Sequence, residues 1–192
     1  MPLLFVLAAG CLVSAMTMRI VDPVVPAIAR DLTISAGTVA LLASAFTLPY
    51  AVFQPVLGSL GDAWGKALVI KISLIVVLGC LIVGALAPGI ELLFASRIIG
   101  GAAAGGIIPL AFAMVGDRFD FEHRQIALSR LLAAIISGQL VGSIGSGLLA
   151  SYTSWRVSMT AGAGFGRAGH SLTGWEVRAP NPAGRPGIQP PP

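Results

Sequence analysis

Residues 58–71 read GSLGDAWGKALVIK. Gly58, Gly61 and Gly65 punctuate the stretch, and Asp62 and Lys66 charge it. From Leu32 to Gly61 the chain carries no charge, and from Ala67 to Ile90 it stays apolar apart from Lys71. A membrane-spanning helix needs about 20 largely apolar residues. Both flanks meet that length, so the stretch reads as a short loop between two spans. Glycine suits such a loop because it permits tight turns and close helix approach.

Composition agrees that lipid is the solvent. Of 192 residues, 56% are hydrophobic and 10% are charged, whereas soluble domains carry about 25% charged residues. Mean hydropathy is +0.89. The net charge is +4, but the basic residues form no run or patch, so no nucleic-acid partner is expected. Cys11 and Cys80 lie inside apolar runs without metal-ligand spacing and read as buried thiols. No HExxH, CxxC or phosphate-binding glycine loop is present, so neither enzyme activity, metal nor cofactor is expected. No Lys or Arg precedes the N-terminal apolar stretch, which argues against a secretory leader.

The chain is therefore expected to be all-α, an integral membrane helix bundle with five spans. These cover about 3–29, 36–60, 67–90, 92–115 and 131–152, and the longest loop is 116–130. Lys66, Lys71, Arg118, Arg124 and Arg130 fall at the breaks after spans two and four, against Arg30 alone at the others. The positive-inside rule then places the N-terminus in the cytoplasm. Trp64 at the inner boundary, and Tyr152 and Trp155 at the outer, suit interfacial aromatics. Residues 157–192 contain 13 Gly or Pro in 36 positions and are expected to be a disordered tail.

The GSLGDAWGKA segment resembles the loop signature of the major facilitator superfamily, which is Gly, three residues, Asp, Arg, any residue, Gly, then two basic residues. Gly58, Asp62, Gly65 and Lys66 match it, while Ala63 and Ala67 depart. RIVDPVVPAIARDL at 19–32 resembles the end of the first helix in the drug/proton-antiporter-like branch. SRIIGGAAAGG at 96–106 and GDRFDFEHRQIAL at 116–128 resemble the fourth helix and its inner loop. GQLVGSIGSG at 138–147 resembles the glycine-rich fifth-helix motif, with Ser143 where that motif has Pro. Together these cover residues 1–156.

The resemblance implies an N-terminal six-helix half of a secondary active transporter, in a bacterial inner membrane. Lipid, a small-molecule solute and protons would be its partners. The family pattern continues after SYTSWR into an aromatic, apolar sixth span, which the Gly/Pro-rich tail replaces. That break reads as a truncated or frameshifted chain, with a natural flexible tail or a proline-rich ligand as other readings. The chain is then either a transporter's first part or a transport-inactive fragment, and a second chain could supply the missing half.

The same resemblance implies a conformational latch. Asp62 would meet a helix N-terminus of the second half, where the dipole favours a carboxylate by about 0.3–1 kcal/mol when exposed. Lys66 would pair with an acid at the inner end of span four, where Asp117 sits. The plainer alternative is a solvated turn with unpaired charges. Gly101, Gly105, Gly138, Gly142 and Gly147 fit small-residue helix packing.

Arg19, Asp22 and Arg97 interrupt apolar spans. An arginine at a helix centre costs about 2.5–3.5 kcal/mol on the insertion scale, close to the roughly 3–5 kcal/mol that the nine Leu, Ile, Val and Phe residues from Leu3 to Val21 return. Intramembrane ions are functional candidates by default. Arg19 and Asp22, three residues apart, share a helix face and can partly neutralise each other. Asp22 is the candidate proton carrier, with Arg19 and Arg97 tuning it or binding an anionic solute. Alternatively, Arg19 and Asp22 simply brace span one. Arg19-Ile20 and Arg97-Ile98 also match each other in the two spans that inverted repeats would relate. Tyr50 and Gln54 on span two and Gln139 on span five are weaker candidates for a cleft.

Overall fold

The computed structural model describes residues 2–173, and every regular element among them is helical. The first span is α1 (Pro2–Arg19), a 3-10 turn at Asp22–Val24 and α2 (Val25–Asp31). The second is α3 (Ala36–Trp64) and the third α4 (Lys66–Ala85). The fourth joins α5 (Ile90–Ala104) to α6 (Ile107–Arg118). The fifth joins α7 (Phe121–Leu140) through a π-helical segment, Val141–Gly145, to α8 (Ser146–Tyr152). Among the described residues, five helical stretches are long and apolar enough to cross a membrane. A further helix, α9, covers Trp155–Thr173.

Local sequence explains the breaks. Pro23 and Pro26 follow α1 directly, and proline removes a backbone donor and disfavours helix in the residue before it. The fourth span interrupts its helix at Gly105 and Gly106. Pro49 and Pro55 lie inside α3, which stays helical. Ser35 caps that helix, its hydroxyl accepting from the Thr38 N–H at 3.1 Å.

The opening stretch proves less broken than expected. Helix α3 runs through Gly58 and Gly61 to Trp64, and only Gly65 interrupts the backbone, at φ +99°. Gly58 has no atom near its missing Cβ, whereas Gly61 lies tightly against the Leu110 side chain. The turn therefore depends on one glycine. Gly65→Ala is expected to lower stability by about 1–3 kcal/mol from backbone strain alone, while Gly58→Ala leaves it unchanged. Thermal unfolding of the two variants in micelles checks this.

The expected loop at 116–130 is almost entirely helical. Only Phe119 and Asp120 separate α6 from α7. Residues 121–130 are charged but contain neither Gly nor Pro, so hydropathy drops there while nothing stops a helix. Arg124 of α7 reaches across that break to the last turn of α6, its Nη2 donating to the Gly116 carbonyl at 2.7 Å.

The tail assignment also needs correction. Its first part, from Val157 to Thr173, belongs to α9. Trp155, Ser158, Met159, Gly162 and Ala163 are buried, at the spacing of one helical stripe. Their small members do what a longer apolar side chain cannot, since a Cβ at Gly162 would stand 2.7 Å from the Ile20 side chain of the first span. Glycine content suggested disorder, whereas here it permits packing. The rest of the expected tail, 174–192, lies outside the described residues.

Two glycine pairs bring the spans together. Gly101 of α5 and Gly105 just beyond it sit on the backbone carbonyls of Phe46 and Tyr50 of α3. Gly138 of α7 and Gly142 beyond it sit on those of Leu12 and Met16 of α1. Gly147 packs more loosely, against the Pro23 ring. One apolar cluster forms around Cys11, Leu74, Ile107 and Leu131, and a second around Val21, Val39, Leu93 and Trp155.

Candidate functional site

Between these clusters lies Arg97, only 3% exposed. Helix α5 carries it, and the close approach at Gly101 brings it under α3. Its guanidinium stacks on the Phe46 ring, with Cζ 4.2 Å from the centroid. Nη1 donates to the Thr17 carbonyl at 3.0 Å. That carbonyl is one of the last four of α1, which have no partner within an ideal helix. Arg97 thus caps the end of α1 from a neighbouring span, where the helix dipole also favours a cation. Nε and Nη2 find no acceptor among the described residues.

Arg19 and Asp22 form an ion pair at 3.2 Å, just past the end of α1. Their side chains are 49% and 35% exposed, so the two arginines differ sharply. The Arg-Ile match between the two spans does not extend to environment. Arg97 packs between helices, and Arg19 is open. Tyr50 is half-buried, its ring 6.2 Å from that of Phe46. Gln54 and Gln139 are also half-buried, on α3 and α7.

At the far end of α3, Lys66 Nζ meets Asp117 Oδ2 in an ion pair that joins the start of α4 to the last turn of α6. Asp62 is exposed at the same end. A solvated ion pair of this kind is worth about 0–1 kcal/mol, so it biases a geometry more than it holds the bundle together.

At the opposite end is a cluster that the sequence reading missed. Asp31 Oδ2 accepts from Trp155 Nε1 at 2.9 Å and from Arg156 Nη2 at 3.4 Å. Arg156 Nη1 donates to the Ala87 carbonyl at 2.6 Å, and its guanidinium lies 4.4 Å from the Trp155 ring centroid. The ends of the first and third spans are thereby tied to the start of α9. Its available signal was two charged residues, Asp31 and Arg156, each ending an apolar span.

The remaining large feature is apolar and exposed. Helix α3 presents Leu48, Val52 and Val56, and the fifth span presents Ile136, Leu140 and Leu148. These spans have only 17% and 22% of their apolar windows buried, against 67% for the first. The spans that carry Tyr50, Gln54 and Gln139 are thus the least covered.

A sequence profile of the Major Facilitator Superfamily matches residues 7–188. The chain belongs to this superfamily. An MFS-type transporter of Aspergillus terreus is 31% identical over 144 residues, covering 75% of this chain and 26% of that protein. The quinolone resistance protein NorA of Staphylococcus aureus is 30% identical over 139 residues, covering 72% of this chain and 36% of that protein. A peptide transporter POT, solved in complex with sulfate, superposes with a TM-score of 0.81 at 16% identity, covering 89% of this chain and 37% of that one. At that identity the likeness concerns the fold. The chain spans about a third of the length of the curated relatives it matches.

Proposed function

We propose that this superfamily member is the first helical bundle of a secondary active transporter for small, amphipathic solutes, coupled to protons and working as an exporter. The observation that carries the reading is the placement of Arg97. A buried cation capping the first span from the fourth, near the Arg19–Asp22 pair, links the two spans at which a charge change can act. The names of the relatives support solutes of the drug type, NorA being named for quinolone resistance. In this reading Asp22 takes up and releases the proton, and Arg97 and Arg19 set its affinity. Lys66 and Asp117, with Asp62 and the Gly65 turn, form the latch at the cytoplasmic end, which puts the N-terminus inside a bacterial inner membrane.

A second bundle closes the solute path against the uncovered sides of the second and fifth spans. It comes from the rest of a longer protein or from a second chain. Reconstitution in sealed vesicles, with the second half of a curated relative co-expressed, tests the reading. Efflux of a cationic dye is expected to follow an imposed proton gradient, to stop when the gradient collapses, and to lose its gradient dependence in Asp22→Asn. Dye flux equal to that of protein-free vesicles, from an assembled and inserted complex, would replace this reading with that of a transport-inactive fragment.

A further inference from the structure

We propose that Arg97 holds a single buried water molecule, which hydrogen-bonds it to Thr17 and Ser96 and joins the first span to the fourth. The site is a small cavity bounded by Thr17, Phe46, Cys80, Ser96, Arg97 and Met159. It leaves about 10 Å³ for the centre of a water molecule, room enough to seat one water. Two donors of a side chain only 3% exposed, Arg97 Nε and Nη2, have no acceptor among the described residues. Leaving such donors bare costs about 1–3 kcal/mol, and more for a charged group.

The hydroxyls decide what fills the space. Thr17 Oγ1 already donates to the Val13 carbonyl at 2.8 Å, and Ser96 Oγ to that of Leu93 at 2.7 Å. Each hydroxyl has spent its one proton and has only lone pairs left to offer. The cavity therefore presents two N–H donors on one residue and two oxygen acceptors on others. An anion would satisfy the arginine but meet those lone pairs and the electron-rich face of Phe46. Water, donating and accepting at once, satisfies both sets with up to four bonds.

The site is independent of the transport reading, and its test needs no flux. X-ray radiolysis makes hydroxyl radicals from ordered water inside a protein, and methionine sulfur is oxidised readily by them. Met159, 1% exposed, lines the cavity, whereas Met114, 7% exposed, lies in the other apolar cluster. In the purified chain, in preparations where fully buried Cys11 resists alkylation, Met159 is expected to oxidise several-fold faster than Met114, at any chloride concentration. Thr17→Val combined with Ser96→Ala removes the acceptors and is expected to slow Met159 oxidation to the rate of Met114. A Met159 rate at or below that of Met114 in the unaltered chain means a dry cavity and overturns the proposal. A rate that falls as chloride rises identifies an anion as the occupant and overturns it too.

Discussion

Gly101→Ala and Gly138→Ala are each expected to destabilise the bundle by about 1–3 kcal/mol, the range of overpacking a close-packed contact. A Cβ at either position falls on a backbone carbonyl, that of Phe46 or of Leu12, and a carbonyl cannot rotate out of the way as a side chain can. The helices must separate instead. Separation removes the van der Waals packing that holds helices together in lipid, where apolar side chains gain little from leaving the solvent. At Gly101 it also moves α3 off α5 at the residue whose ring carries Arg97. The matched control is Gly79→Ala, where the added methyl meets nothing within 4 Å. Thermal unfolding in micelles, followed by tryptophan fluorescence, reads the difference. Equal midpoints for Gly101→Ala and Gly79→Ala would show that the bundle does not depend on these approaches.

Much of this was legible in the sequence, for reasons that separate cleanly. Span number came from hydropathy, because lipid demands whole helices of apolar residues and tolerates few exceptions. The glycine pairs came from spacing, since Gly101 and Gly105, or Gly138 and Gly142, lie one turn apart on a single face. Helix ends were not legible where charge and helix coexist, as in 121–130, because hydropathy marks the membrane and not the hydrogen-bond ladder. Helix α9 was hidden by its own glycines, whose value appears only once Ile20 and Leu81 are placed beside Gly162. The partners of Arg97 were out of reach as well. Thr17 lies 80 residues from it and Phe46 on another span, and nothing local in either segment announces the meeting.

Arg97→Met is expected to abolish gradient-driven transport in the completed two-bundle assembly while changing stability by no more than about 1–2 kcal/mol. Two opposing terms set the small stability change. Replacing a buried charge with an apolar side chain of similar volume is often neutral or stabilising, by up to about 1–4 kcal/mol. Against that, the Thr17 carbonyl loses its donor, a penalty of about 1–3 kcal/mol. In the proposed transporter flux has no such compensation, because methionine removes the one fully buried charge among the described residues. Arg97→Lys separates the two roles. Lysine keeps a positive charge and a donor for Thr17 but lacks the planar fork that stacks on Phe46, so it should restore part of the transport. Measuring flux and unfolding midpoint on the same preparations makes the comparison. If Arg97→Met lost stability in step with transport, and Arg97→Lys recovered both together, the residue would be a cap for α1 and nothing more.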